Sequence, residues 1–299
     1  MTLSLITGGA GFIGSNLADQ LLEMGHRVCV VDNEYSDAHD QFYWNENTYN
    51  VNCDIRDYKT LKNCMHGVDY VFHLAAEARI QPAIKNPIEA VSINSLGTCT
   101  VLQCAREAGV KKVMYSSTSS GYGLNPHPNV ETQPDDCLNP YSASKVAAEK
   151  FCKMYTDLYG LKTVVFRYFN VYGERSPVFG QYAPVIGIFL KQKNEGQPLT
   201  IVGDGSQRRD FIHVKDVAAA NILAATADIP EEYYGQVFNI GSSDSISIQE
   251  IANLISDDQV YIPKREGEME TTFANIDKAK EILGWTPKIN VSDWIRENL

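Results

Sequence analysis

No apolar run in this chain approaches the roughly eighteen residues needed to span a bilayer. The first strand-like segment starts within three residues of Met1, so no cleaved leader is expected and a cytoplasmic protein is predicted. Positive charge is scarce: 26 Lys+Arg stand against 37 Asp+Glu, a net charge of -11. An acidic chain of this kind excludes nucleic acid or an anionic membrane as its main partner, because neutralising phosphates takes a basic face. The small basic islands Arg208-Arg209 and Lys264-Arg265 are where an anionic ligand would be met. Seven cysteines (Cys29, Cys53, Cys64, Cys99, Cys104, Cys137 and Cys152) form no Cys-x-x-Cys pair and keep no metal-ligand spacing with each other or with histidine. They read as reduced thiols, and no metal is expected. There is no low-complexity tract, repeat or linker, and 299 residues with 44% hydrophobic content can bury one large α/β core with a smaller lobe attached.

What is present begins with strand, loop and helix. Leu3-Ser-Leu-Ile6 is apolar, Thr7-Gly8-Gly9-Ala10-Gly11-Phe12-Ile13-Gly14 is a glycine-rich turn, and Leu17, Leu21 and Leu22 recur at helical spacing. Glycines at 8, 11 and 14 allow a tight turn, close approach of a pyrophosphate and close helix–strand packing. The next apolar run, Arg27 to Val31, ends in Asp32, whose carboxylate can accept both ribose hydroxyls of an adenosine and would repel a 2'-phosphate. NAD is therefore predicted over NADP. Strands are expected near 3–7, 27–32, 48–51, 69–73, 112–117 and 163–168, and helices near 13–24, 57–63, 88–108 and 140–159. This alternation predicts a Rossmann-type doubly wound parallel sheet with right-handed crossovers. The NAD-binding domain is expected over 1–170 with a later contribution from about 211–240, and 171–299 is expected to form mainly a smaller α/β substrate lobe over the C-terminal ends of the strands.

Tyr141 stands four residues before Lys145, which puts a phenol and an ammonium on one face of the 140–159 helix. A free tyrosine has a pKa of about 10, and a nearby cation lowers it. The spacing alone favours a packed tyrosine beside a solvated lysine, but the glycine-rich turn with Asp32 supplies the redox partner that a phenolate base would serve.

The whole set of motifs resembles the extended short-chain dehydrogenase/reductase family, and within it the nucleotide-sugar 4-epimerases. The resemblance runs through the 7–14 turn, Asp54-Ile-Arg-Asp57, His73-Leu-Ala-Ala76, Asn94, Ser116-Ser-Thr118, Tyr141-Ser-Ala-Ser-Lys145, Arg167-Tyr-Phe-Asn-Val-Tyr-Gly173 and Arg209-Asp-Phe-Ile-His213. It implies that Tyr141 is the catalytic base, that Lys145 lowers its pKa and holds the nicotinamide ribose, and that Thr118 hydrogen-bonds the reacting oxygen. It also implies an NAD site drawing on Gly8, Gly11, Phe12, Ile13 and Gly14 of the turn and on Asp32 and Asn33 after the second strand. Asp54 and Ile55, Leu74, Ala75 and Ala76, and Asn94, Ser116 and Tyr168 complete that site with Tyr141 and Lys145. Arg209 and Arg265 match diphosphate-contacting arginines and Asn170 a substrate-contacting asparagine; the bland alternatives are salt bridges to Asp210 and to Glu266 or Glu268.

One absence discriminates within the family. The related dehydratases and decarboxylases place one or two acids after the catalytic threonine or serine, whereas this chain reads Thr118-Ser119-Ser120-Gly121-Tyr122. Eliminating water needs a general acid and base near C5 and C6 of the sugar, so the run fits a 4-epimerase. In the epimerases that this chain resembles, a tyrosine at the position of Thr272 narrows the pocket against an N-acetyl group, so the resemblance implies UDP-GlcNAc/UDP-GalNAc with UDP-Glc/UDP-Gal also accepted. Arg79 keeps a UDP-uronate open, or pairs with Glu77. A reductase or dehydratase and a non-catalytic NAD-binding scaffold are the alternative readings. The resemblance also implies a homodimer built on the 88–108 and 140–159 helices, where Val91, Val101, Phe151 and Tyr155 either line the bundle or are ordinary core.

Overall fold

The computed structural model describes residues 1–37, 39, 41–178, 183–264 and 269–299. Six strands follow the sequence pattern: β1 (Leu3–Thr7), β2 (Arg27–Asp32), β3 (Tyr49–Asn52), β4 (Tyr70–His73), β5 (Lys112–Thr118) and β6 (Thr163–Tyr168). With Val237–Ile240 they form one seven-stranded sheet, in the order Val237–Ile240, β6, β5, β4, β1, β2, β3, and every neighbour is parallel. Strands such as Val164–Phe166 are apolar at successive positions because helices cover both faces of the sheet. One face packs Leu17, Leu21, Phe72, Phe166 and Phe238 into a core, and the other packs Leu5, Val71, Leu102, Val113 and Val165. The order in which strands are added reverses between β1 and β4, which opens a crevice at the strand C-termini.

Helix α1 (Phe12–Glu23) follows β1, α2 (Tyr58–Cys64) follows β3, and α6 (Pro140–Tyr159) follows β5. Asn139 caps α6 by accepting from Ser142 N at 2.9 Å, and Gly160 in the left-handed conformation ends it. The single helix expected over 88–108 is instead three pieces after a short α3 (Ile80–Lys85): α4 (Pro87–Val91), a π-helical turn (Ser92–Gly97) and α5 (Thr98–Ala108). The widened turn carries Asn94, whose carbonyl accepts from Thr98 Oγ1 at 2.6 Å. Val101 and Tyr155 belong to the core, Phe151 packs against it half-buried, and Val91 is exposed. A third cluster, including Phe189, Leu199, Ile251 and Ile295, forms the core of the C-terminal elements.

His73 shows how closely the sheet end is specified. Its Nδ1 lies 2.7 Å from Thr7 Oγ1 and its Nε2 lies 2.8 Å from Thr98 Oγ1. Because the Thr98 hydroxyl donates to Asn94 O, Nε2 carries the proton and Nδ1 accepts, a neutral tautomer fixed by its neighbours. Burial pushes this imidazole from 6.5 down to about 3. Above pH 6.5 it is neutral folded and unfolded; below that the unfolded chain takes up a proton the fold refuses, so stability falls as pH drops towards 3. Urea midpoints measured across this window are expected to fall more steeply for wild type than for His73→Gln, with an upper bound of about 5 kcal/mol for the difference at 1.4 kcal/mol per pH unit. Parallel profiles would contradict this role.

Candidate active site

A cavity of about 650 Å³ opens at the strand C-termini and is lined both by the sheet loops and by the C-terminal elements. At its floor, Gly8 has φ +70, and a Cβ there would stand 2.6 Å from Ala75 N. A Cβ on Gly14 would lie 2.2 Å from Gly8 O, so β1's turn and α1 meet at a distance only glycine permits. Helix α1 begins at Gly11 without a side-chain cap, which leaves its first amides directed at the cavity. Asp32, 9% exposed, accepts from Ala10 N at 3.1 Å and Glu34 N at 2.8 Å. Burial raises its pKa while these amides lower it. Asn33 Nδ2 donates to Asp54 Oδ2 at 3.2 Å, and the Arg56 guanidinium holds Asp54 below the usual carboxylate range. An uncapped helix start, a turn with no room for a Cβ at Gly8 or Gly14 and a seated carboxylate one strand away fit a dinucleotide: amides for the pyrophosphate, Asp32 for the ribose.

The structure brings most of the site residues read from the sequence into this one cavity. Gly8, Gly11, Phe12, Ile13, Gly14, Asp32, Asn33, Asp54 and Ile55 line its outer end. Leu74, Ala75, Ala76, Ser116, Thr118, Tyr141, Lys145 and Tyr168 line its centre, and Arg79, Asn170, Arg209 and Thr272 line it as well. Asn94 does not. Its amide is engaged behind the wall, accepting from Glu77 N at 2.9 Å and donating to Glu77 O at 3.0 Å and Ser144 Oγ at 2.9 Å. Ser144 Oγ in turn donates to Tyr141 O at 2.9 Å, so Asn94 braces the loop after β4 against the start of α6. Arg265, with Glu266 and Glu268, lies outside the described residues.

Thr118 ends β5, with Oγ1 accepting from Ser120 N at 3.1 Å, and it is hydrogen-bonded to the Tyr141 hydroxyl. The expected depression of the phenol by Lys145 is not what these side chains produce. Burial raises Tyr141, Thr118 works in the opposite direction, and the Glu77 carboxylate adds to the rise. Lys145, 3% exposed, has its Nζ 4.5 Å over the Tyr115 ring, and burial pushes its pKa down to about 7. Lys145 is buried and Tyr141 half-buried on the cavity wall, so once a ligand fills the cavity its charge acts on both with less screening than in water.

Where the C-terminal elements close the cavity, Thr272 Oγ1 accepts from Asn170 Nδ2 at 2.9 Å and from Asp210 N at 3.1 Å. Asp210 does not pair with Arg209. Its carboxylate accepts from Ser242 N and Oγ, Ser243 N and Ala274 N, while Arg209 Nη1 donates to the Arg208 and Glu270 carbonyls. Arg208 pairs with Glu250 and Lys264 with Glu270. Arg79 pairs with Asp37, a partner the sequence did not suggest; it meets Glu77 through its main chain, the Arg79 amide donating to Glu77 Oε1 at 3.1 Å.

The sequence reading missed Tyr35, His39 and Phe42 in the loop after β2, and Phe189, Phe211 and Met269 from the C-terminal elements, all of which line the cavity. Tyr35, His39 and Phe42 lie in a loop without periodicity, while Phe189 in the Val185–Asn194 helix and Phe211 in the Phe211–His213 strand read as ordinary core. It also missed Glu149, although helical spacing places it on the face of Tyr141 and Lys145. Buried Glu149 accepts from Ser117 Oγ at 2.5 Å and from Arg167 Nε at 2.9 Å and Nη2 at 2.7 Å.

The model of the NAD dependent epimerase/dehydratase family matches residues 4–241. A putative UDP-glucose 4-epimerase of Methanocaldococcus jannaschii is 36% identical over 98% of this chain and 95% of that protein. A UDP-glucuronate 4-epimerase of Thermodesulfobacterium geofontis is 34% identical over 99% of this chain and 96% of that protein. The solved UDP-N-acetylglucosamine 4-epimerase of Methanobrevibacter ruminantium, in complex with UDP-N-acetylmuramic acid, superimposes with a TM-score of 0.91 at 32% identity, covering 99% of this chain and 96% of that one. With matches that span both the fold and the cavity, the chain belongs to the NAD dependent epimerase/dehydratase family and is an enzyme whose cofactor is NAD.

Proposed function

We propose that the enzyme is a 4-epimerase of UDP-sugars, working by reversible oxidation and reduction at C4. The observation that carries this reading is chemical. Among the described residues the only carboxylates lining the cavity are Asp32 and Asp54, both at the adenosine end. Ser119 and Ser120 line it beside Thr118, so among the described residues the sugar end offers the oxidoreductase trio and no carboxylic acid for removing water. When bound, NAD supplies the hydride acceptor and donor, and its positive nicotinamide is the charge that favours the Tyr141 anion. Tyr141, through Thr118, takes the proton of the sugar's 4-hydroxyl and later returns it. Lys145 holds the nicotinamide ribose. Arg209, Arg265 and Asn170 anchor the nucleotide and sugar while the 4-keto sugar turns over.

Thr272 supports UDP-GlcNAc/UDP-GalNAc as the preferred pair, with UDP-Glc/UDP-Gal accepted, because its small side chain is drawn back into the Asn170–Asp210 network. Arg79 weighs less for a uronate, since its guanidinium is already met by Asp37. The test is incubation with UDP-Glc, UDP-GlcNAc and UDP-GlcA, with the sugars resolved by chromatography. C4 interconversion fastest for UDP-GlcNAc is expected; a uronate preference would reassign the substrate, and release of a 4-keto-6-deoxy sugar would end the epimerase reading. A homodimer is part of the same proposal, supported by the exposed Ile88, Val91 and Leu96 on α4 and the π turn and by Leu158 on α6. Light scattering that reports a monomer would contradict it.

A further inference from the structure

Two loops at the cofactor end of the cavity are joined by an ion pair that neither the sheet nor the chemistry at C4 requires. Arg79, just before α3, pairs through Nη2 with Asp37 of the loop after β2. β2 and β4 flank β1, so these loops reach past the glycine-rich turn from opposite sides. The loop after β2 folds back over that turn: Tyr43 N donates to Ala10 O at 2.8 Å, and His39 Nε2 lies 3.6 Å from where a Cβ on Gly11 would stand. The two ends of the bridge differ. Arg79 is 19% exposed and stands on a fixed base, with its amide on Glu77 Oε1 and Glu77 itself hung on Asn94. Asp37 is 84% exposed, so the carboxylate is the end that can let go.

We propose that the Arg79–Asp37 pair is a strap over the dinucleotide cleft that slows the release of NAD. An enzyme that returns its NAD unchanged after each turnover gains nothing from exchanging it, and a bridge over the turn retains the cofactor without touching the reacting carbon. The pair ties Asp37, two residues before the His39 that lies against Gly11, to the wall after β4, so release of the dinucleotide is faster once Asp37 lets go. With one partner so exposed, the bridge is weak at equilibrium and sensitive to salt.

The experiment measures NAD release from the holoenzyme, with an excess of a second dehydrogenase and its substrate trapping free NAD as NADH. Wild type, Arg79→Ala, Asp37→Ala and the exchange Arg79→Asp with Asp37→Arg are compared at low salt and in 1 M NaCl. Each single variant is expected to release NAD about two- to five-fold faster, the upper part of the range for loss of a partly exposed pair. The exchange is expected to recover part of the retention. Salt is expected to speed release from wild type and to change the single variants little. Single variants that release NAD at the wild-type rate would overturn the strap. A raised KM for the UDP-sugar with unchanged NAD release would overturn it too and assign Arg79 to the sugar. Because the readout is cofactor release, its failure leaves the 4-epimerase reading standing, and failure of that reading leaves this measurement interpretable.

Discussion

Tyr141→Phe is expected to lower kcat for C4 interconversion about 10²- to 10⁴-fold, the range for loss of a positioned general acid–base group. The substitution removes one oxygen and leaves the ring that fills the site, so no cavity opens. What positions the residue is untouched: Asn139 caps the helix, and Ser144 links the Tyr141 carbonyl to Asn94. The hydroxyl's partner is Thr118, whose own oxygen still accepts from Ser120 N. Bound NAD, melting temperature and substrate KM are therefore expected to change little while kcat collapses. A variant that kept most of the wild-type rate would remove Tyr141 from the chemistry, and one that lost NAD or unfolded would make it a structural residue.

Arg167→Met is expected to cost about 3–5 kcal/mol of stability, the usual consequence of leaving one partner of a buried ion pair uncompensated. Arg167 and Glu149 are each 3% exposed. The guanidinium reaches both oxygens of Glu149, contacts Asp135 at 2.5 Å and lies 4.5 Å over the Tyr122 ring. Without it, Glu149 keeps only the Ser117 hydroxyl. The same network ties β5, β6 and α6 together beside Thr118, so the geometry between Thr118 and Tyr141 depends on it. Urea unfolding followed by circular dichroism measures the loss, and Arg167→Met with Glu149→Leu is expected to regain part of it by removing both charges. A loss below about 1 kcal/mol would mean that water reaches Glu149 and that the pair behaves as a surface one.

The first half of the fold was legible because its signals are local. Five of the strands β1 to β6 contain a short apolar run, while β3 (Tyr49-Asn-Val-Asn52) is an exposed edge strand carrying only Tyr49 and Val51, and the glycine-rich turn with Asp32 declares its ligand by chemistry that neighbouring residues must supply. The seventh strand, Val237–Ile240, was foreseen only as part of a contribution from about 211–240, because its pairing with β6 spans some seventy residues and leaves no local mark. The break at Ser92–Gly97 was hidden because apolar periodicity continues through it. Within the site, residue type foretold which side chains gather but not how they pair. Arg79 was matched with Glu77 or a sugar carboxylate, yet Asp37 lies 42 positions away in sequence. Lys145 was expected to govern the phenol, yet burial dominates both groups, and burial is a property of the packed site that helical spacing does not report.

The most direct test of the central claim follows the hydrogen at C4. The UDP-sugar turned over fastest is prepared with deuterium at C4 and incubated in ordinary water with the purified holoenzyme. Because the same cofactor returns what it removed, the epimer is predicted to keep the deuterium at C4, with no net accumulation of NADH. Deuterium found at C6 of a 4-keto-6-deoxy sugar, or lost to water, would contradict reversible oxidation at C4 as the whole of the reaction.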